Sequence, residues 1–112
     1  MDIINQQQVE RLKQEIGAEN LPVLLEIFLS ELNQYRMKLT DTTHDQEAYL
    51  KEISHALKSS AASFGAEALR NLAIDYDGAA KAGVSLASAE QKHAMLALLK
   101  ETHQCYEKLL SQ

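Results

Sequence analysis

The chain has 112 residues, one domain in length, with room for a single modest core. Its apolar share of 46% and charged share of 24% belong to an ordinary globular protein, and its net charge of -5 argues against nucleic acid, which calls for a basic face to displace counterions. The single cysteine, Cys105, excludes an internal disulfide and a Cys-rich zinc site.

The start of the chain has no basic stretch followed by an apolar one, and no apolar run approaches the ~20 residues of a membrane span. A cytoplasmic protein with no membrane contact is expected. One Pro and four Gly leave long segments uninterrupted, which favours an all-α fold.

Asn5 followed by Gln8 has the form of a capping box, and Val9, Leu12 and Ile16 recur at helical spacing before Gly17 stops the first helix. A second helix is predicted from about Asn20, with Pro22 tolerated in its first turn, where its missing N–H would have no partner. Its apolar stripe is Leu21, Leu24, Leu25, Phe28, Leu32, Tyr35 and Leu39. The polar segment Thr40–Asp45, which includes His44, reads as a loop.

A third helix is predicted from Gln46 to Phe64, burying Leu50, Ile53, Leu57, Ala61 and Phe64, and Gly65 interrupts it. A fourth runs from Ala66 to Ala82, with Leu69, Leu72, Ala73, Tyr76 and Ala80 on one side. Ser88 and Gln91 form a second capping box. The last helix then turns Met95, Leu96, Leu99, Thr102, Tyr106 and Leu109 inward. Short connections between long amphipathic helices favour antiparallel neighbours. The expectation is one domain over residues 1–112, an antiparallel up-and-down four-helix bundle preceded by a short helix.

The third helix carries the one histidine whose surroundings suggest chemistry. At about 100° per residue, His55 lies roughly 160° from the centre of the buried stripe and therefore faces water. Ser59 and Ala62 share its outward side, and Lys58 flanks it one turn on. Ala48 and Lys51 precede it at the same spacing. An unperturbed imidazole is largely neutral near pH 7 and so nucleophilic. A nearby ammonium screens incoming phosphoryl oxygens, a contribution of at most about 1 kcal/mol at an exposed site. Geometry alone leaves an exposed histidine as ordinary surface.

The surrounding string is more specific. From His55 it places Leu57 at +2, Lys58 at +3, the small Ser59 at +4, a run of small residues, Phe64 at +9 and Gly65 at +10. This resembles the signature of the histidine phosphotransfer (HPt) family, with Ser59 where many members carry Gly. Together with the segment from Asn20 to Glu31, it is similar to the phosphotransfer proteins of bacterial quorum-sensing relays.

The resemblance implies that His55 accepts a phosphoryl group from the receiver-domain aspartate of a hybrid sensor histidine kinase. His55 would then pass it to the receiver domain of a sigma-54-type response regulator, and the flow would reverse when the sensors act as phosphatases. It implies electrostatic support from Lys58 and a docking surface that includes Ser59, Ala62, Lys51 and Ala48. The protein would be a monomeric carrier that needs no cofactor, with the catalytic Mg²⁺ site on the receiver. Asp77 and Lys81 fall where some family members place polar residues near the histidine. An acid beside a phosphate is unfavourable, so Asp77 is expected to turn away as solvated surface, and Lys81 is a weak candidate.

Three rival readings are weighed against this one. Glu52–His55 and Glu90–His93 both have the Glu-x-x-His spacing of di-iron bundles, but on their helical wheels all four point away from the core, so no metal site is expected. A helical adaptor without phosphotransfer is the alternative that would leave His55 without a role. A cysteine nucleophile is disfavoured, because nothing in the sequence orders a histidine and a carboxylate around Cys105. His103 and His44 read as surface.

Overall fold

The computed structural model describes residues 2–43 and 45–112, and His44 lies outside them. The described residues form five helices: α1 (Gln6–Ile16), α2 (Leu21–Leu39), α3 (Gln46–Phe64), α4 (Glu67–Lys81) and α5 (Ala89–Leu110). Pro22 sits in the first turn of α2.

Local signals set the helix ends. Ser88 and Gln91 complete a reciprocal capping box at the start of α5. Asp45, the last residue of the polar segment, is more than loop: it caps α3 by accepting the Ala48 N–H at 3.1 Å. The box expected at Asn5 is only half formed. Asn5 Oδ1 accepts the Gln8 N–H at 3.2 Å, but the Gln8 side chain donates to the Ser63 carbonyl and the Asn5 N–H donates to the Gly65 carbonyl at 2.7 Å. Tertiary partners at the α3–α4 turn have replaced the local one.

Contacts along the helices define their directions. Lys92 near the start of α5 bonds Gln46 at the start of α3, and Tyr106 near the end of α5 donates to the Phe64 carbonyl at the end of α3. Thus α3 and α5 run the same way, and α4, which follows α3 through a two-residue turn, runs back between them. Phe28 early in α2 stacks on Phe64, whereas Tyr35 late in α2 meets Tyr49 early in α3, so α2 opposes α3. The four long helices form the expected up-and-down bundle, and α1 packs on α2 and α3.

The core is apolar and continuous, running through Leu25, Leu32, Leu39, Leu50, Ile53, Leu57, Leu69, Met95 and Leu99. Phe28 lies at its centre, stacked at 4.3 Å on Phe64 and edge-on at 5.3 Å to Tyr106. Each large side chain buried there contributes roughly 1.5–3 kcal/mol, so rotating a helix about its axis would be very costly.

Leu86, in the α4–α5 connection, also joins the core. Glu47 holds it in place by accepting the Leu86 N–H at 2.8 Å and the Ser85 hydroxyl at 3.0 Å. Those bonds pull the Glu47 carboxyl below the usual carboxylate range.

Candidate functional site

The inward face of α3 decides what its outward face presents. With Leu50, Ile53, Leu57 and Ala61 in the core, His55 is left at the surface with 68% of its side chain exposed. Ala48 and Ser59 are exposed on the same side, and Lys51 and Ala62 are half-buried along it. Ala62 lines a cleft it shares with Asn5, Gln8, Gly65 and Arg70.

The neighbouring helix α4 completes the site. Leu69, Ala73 and Asp77 follow one another at four-residue spacing, so Asp77 continues the line that faces α3. It does not turn away as solvated surface: it is only 5% exposed and points at His55. Asp77 Oδ1 lies 3.2 Å from His55 Nδ1. Asp77 Oδ2 pairs with Lys58 Nζ from α3 and with Lys81 Nζ at 2.9 Å, one turn along α4.

The acid is tolerated there because it is outnumbered. One carboxylate between two ammonium groups leaves the cluster with a net positive charge, so the predicted repulsion of a phosphate does not arise. The bonds from Lys58 and Lys81, with a smaller one from His55, hold the Asp77 carboxyl well below the usual carboxylate range. The contact with Asp77 in turn raises the Lys81 ammonium above its ordinary value.

An ionised carboxylate has no hydrogen to give. The His55–Asp77 contact is therefore a hydrogen bond only when Nδ1 carries the hydrogen, and in the neutral ring this leaves the lone pair on Nε2. The arrangement presents that nitrogen on an exposed ring, with Lys58 one turn on along α3 and Lys81 joined to the pair through Asp77. Of the residues singled out from the sequence, the structure brings His55, Lys58 and Lys81 together, and Asp77 is the junction among them. Its signal was present in the 69–73–77 spacing.

The remaining chemical side chains lie elsewhere. Glu52, Glu90 and His93 are exposed, His103 pairs with Glu107 on α5, and Cys105 is a half-buried free thiol. Among the described residues, no three His, Cys, Asp or Glu side chains group to hold a metal ion. None of the described helices is long and apolar enough to cross a membrane.

The geometry agrees with what the chain is similar to. The Hpt domain family model matches residues 23–110, which takes in nearly all of α2 and α3, α4 and α5. The phosphorelay protein LuxU of Vibrio cholerae is 54% identical over 108 residues, covering 96% of each chain. LuxU of Vibrio vulnificus is 52% identical, covering 95% of this chain and 93% of its own length. LuxU of Vibrio harveyi is 51% identical, covering 94% of this chain and 93% of its own. No solved structure matches the chain. A family model spanning α2 to α5, and relatives half identical from end to end, show that this chain belongs to the Hpt domain family.

Proposed function

We propose that the protein is a phosphorelay intermediate that carries a phosphoryl group on Nε2 of His55. In this reading His55 takes the group from the receiver-domain aspartate of a hybrid sensor kinase and gives it to the receiver domain of a sigma-54-type response regulator, in a quorum-sensing relay. The observation that carries it is the exposed imidazole of His55 beside Lys58 and Lys81, in a family member whose relatives are named phosphorelay proteins.

The chain is a carrier and not an enzyme in its own right, because the aspartate and the Mg²⁺ that assist phosphoryl transfer belong to the receiver. What this chain supplies is a reachable nitrogen and a positive field. Lys58 is the nearest support for phosphoryl oxygens, and Lys81 adds to it from α4. The outward side of α3, through Ala48, Lys51, Ser59 and Ala62, supplies the docking surface, with the protein acting as a cytoplasmic monomer.

The test is to incubate the protein with a phosphorylated receiver domain and map the acid-labile, base-stable phosphate. Label is expected on His55 alone, and His55→Gln should take up none while keeping its helical spectrum and unfolding midpoint. Label on another residue, or undiminished uptake by His55→Gln, would overturn the reading.

A further inference from the structure

We propose that Asp77 is a positioning residue for phosphoryl transfer: it holds His55 in the Nδ1–H form and keeps that hydrogen throughout the reaction, so that no proton need enter or leave. The inference deepens the proposed function and rests on it.

Three observations carry it. Asp77 is almost wholly buried while the ring it contacts is mostly exposed, so the carboxylate is the fixed part of the pair and the imidazole the held part. Its two oxygens are divided between partners: Oδ1 faces His55 Nδ1, whereas Oδ2 takes both lysines. Occupying Oδ2 with two cations fixes the carboxylate plane and leaves Oδ1 aimed at the ring. Neither lysine carries an acceptor, so the cluster offers no competing partner for the Nδ1 hydrogen.

The transfer then balances without an external base. The Nε2 lone pair forms the N–P bond as the P–O bond of the partner's aspartyl phosphate breaks, and that bond's electron pair leaves on the partner's carboxylate. The ring keeps its Nδ1 hydrogen and becomes a phosphoimidazolium, whose positive charge develops against Asp77 Oδ1. On donation to the next receiver the N–P electron pair returns to Nε2, and the ring leaves as neutral imidazole with its hydrogen still on Nδ1. A carboxylate on Nδ1 therefore favours acceptance and steadies the carried form, while donation returns the ring to the same neutral Nδ1–H state with no proton to recover. It also keeps Lys58 and Lys81 beside the incoming phosphoryl group, where each can turn from Asp77 toward its oxygens.

The experiment reads the tautomer and the transfer rate separately. Proton–nitrogen correlation spectra of the imidazole ring are recorded at a pH where His55 is neutral, for the wild type, Asp77→Asn and Asp75→Asn. The last removes the same charge from an exposed position on α4. Rates of phosphoryl uptake from a phosphorylated receiver domain, and of return to an unphosphorylated one, are measured on the same proteins.

The wild type and Asp75→Asn are expected to show the Nδ1–H form of His55. Asp77→Asn should lose that preference and take up phosphate about tenfold more slowly, the size of one charge-assisted hydrogen bond. A wild-type ring in the Nε2–H form overturns the inference, as does an Asp77→Asn protein that keeps the wild-type tautomer or the wild-type rate of uptake. The spectra need no partner protein, so this inference can fail while His55 still accepts phosphate. A His55 that accepts none in the wild type removes the functional reading instead.

Discussion

At the scale of single residues, the site is held by a carboxylate whose ionisation ties folding to pH. Asp77 keeps its charge in the folded protein to far lower pH than in the unfolded chain, where an aspartate titrates near pH 4. As the pH falls through about 4, the unfolded chain gains a proton that the folded one refuses. The stabilisation by Asp77 is therefore complete above that range and is lost below it. Lys81, shifted upward, contributes fully below its ordinary value and loses its contribution as the pH rises beyond about 10. Urea denaturation across pH should show the wild type more stable than Asp77→Asn by a constant margin from about pH 5 to 9, and the margin should shrink below about pH 4. A margin that stays flat down to pH 2.5 would mean that the Lys58–Asp77–Lys81 cluster contributes nothing to folding.

The same residues show what the sequence could and could not reveal. The outward phase of His55 follows from four buried neighbours at helical spacing, and Lys58 follows from its offset of three. The place of Asp77 was misread because its charge was weighed alone, against a phosphate. Its two neutralising lysines come from two different helices, and only the packing of α3 on α4 brings Lys58 to it.

At the scale of elements, the helix assignments were legible because stripe, cap and stop signals agree along the chain. Where they failed, a tertiary contact had displaced a local one. Gln8 abandons its half of the box at Asn5 for the Ser63 carbonyl, and Leu86 enters the core only because Glu47 on α3 captures its loop.

Gly65 is the element-scale residue that matters most to the site, since it ends the histidine-bearing helix. Its φ of +78° is left-handed, and a Cβ there would stand 2.8 Å from the Asn5 carbonyl oxygen. Gly65→Ala should lower stability by about 1–3 kcal/mol in thermal or urea unfolding. Hydrogen exchange at the Asn5 amide, which donates to the Gly65 carbonyl, should quicken with it. Unchanged stability would show that the turn relaxes freely.

At the scale of the whole molecule, the bundle keeps the work of folding off the outward side of α3, the proposed docking surface. The inner faces of α2 to α5 close a single core, and the outward side of α3 is left free of it. Ser59 stands on that outward side, one turn beyond His55. Ser59→Trp is expected to slow transfer to a receiver domain by about tenfold, since a bulky side chain at the centre of an interface holds the partners apart. Its unfolding midpoint should equal that of the wild type. Normal transfer by this variant would move the docking surface away from α3.

The opposition of the two faces of α3 has a consequence for how such a carrier diversifies. Ile53, Leu57 and Ala61 are held by volume and shape, and a change at any of them is felt through the core. Ala48 and Ser59 are bound by neither, so substitutions there come at almost no cost to folding. With docking on that side of α3 as proposed, a carrier built this way can be rewired to a new donor or acceptor by surface changes alone, while the histidine and its carboxylate stay where the core has put them.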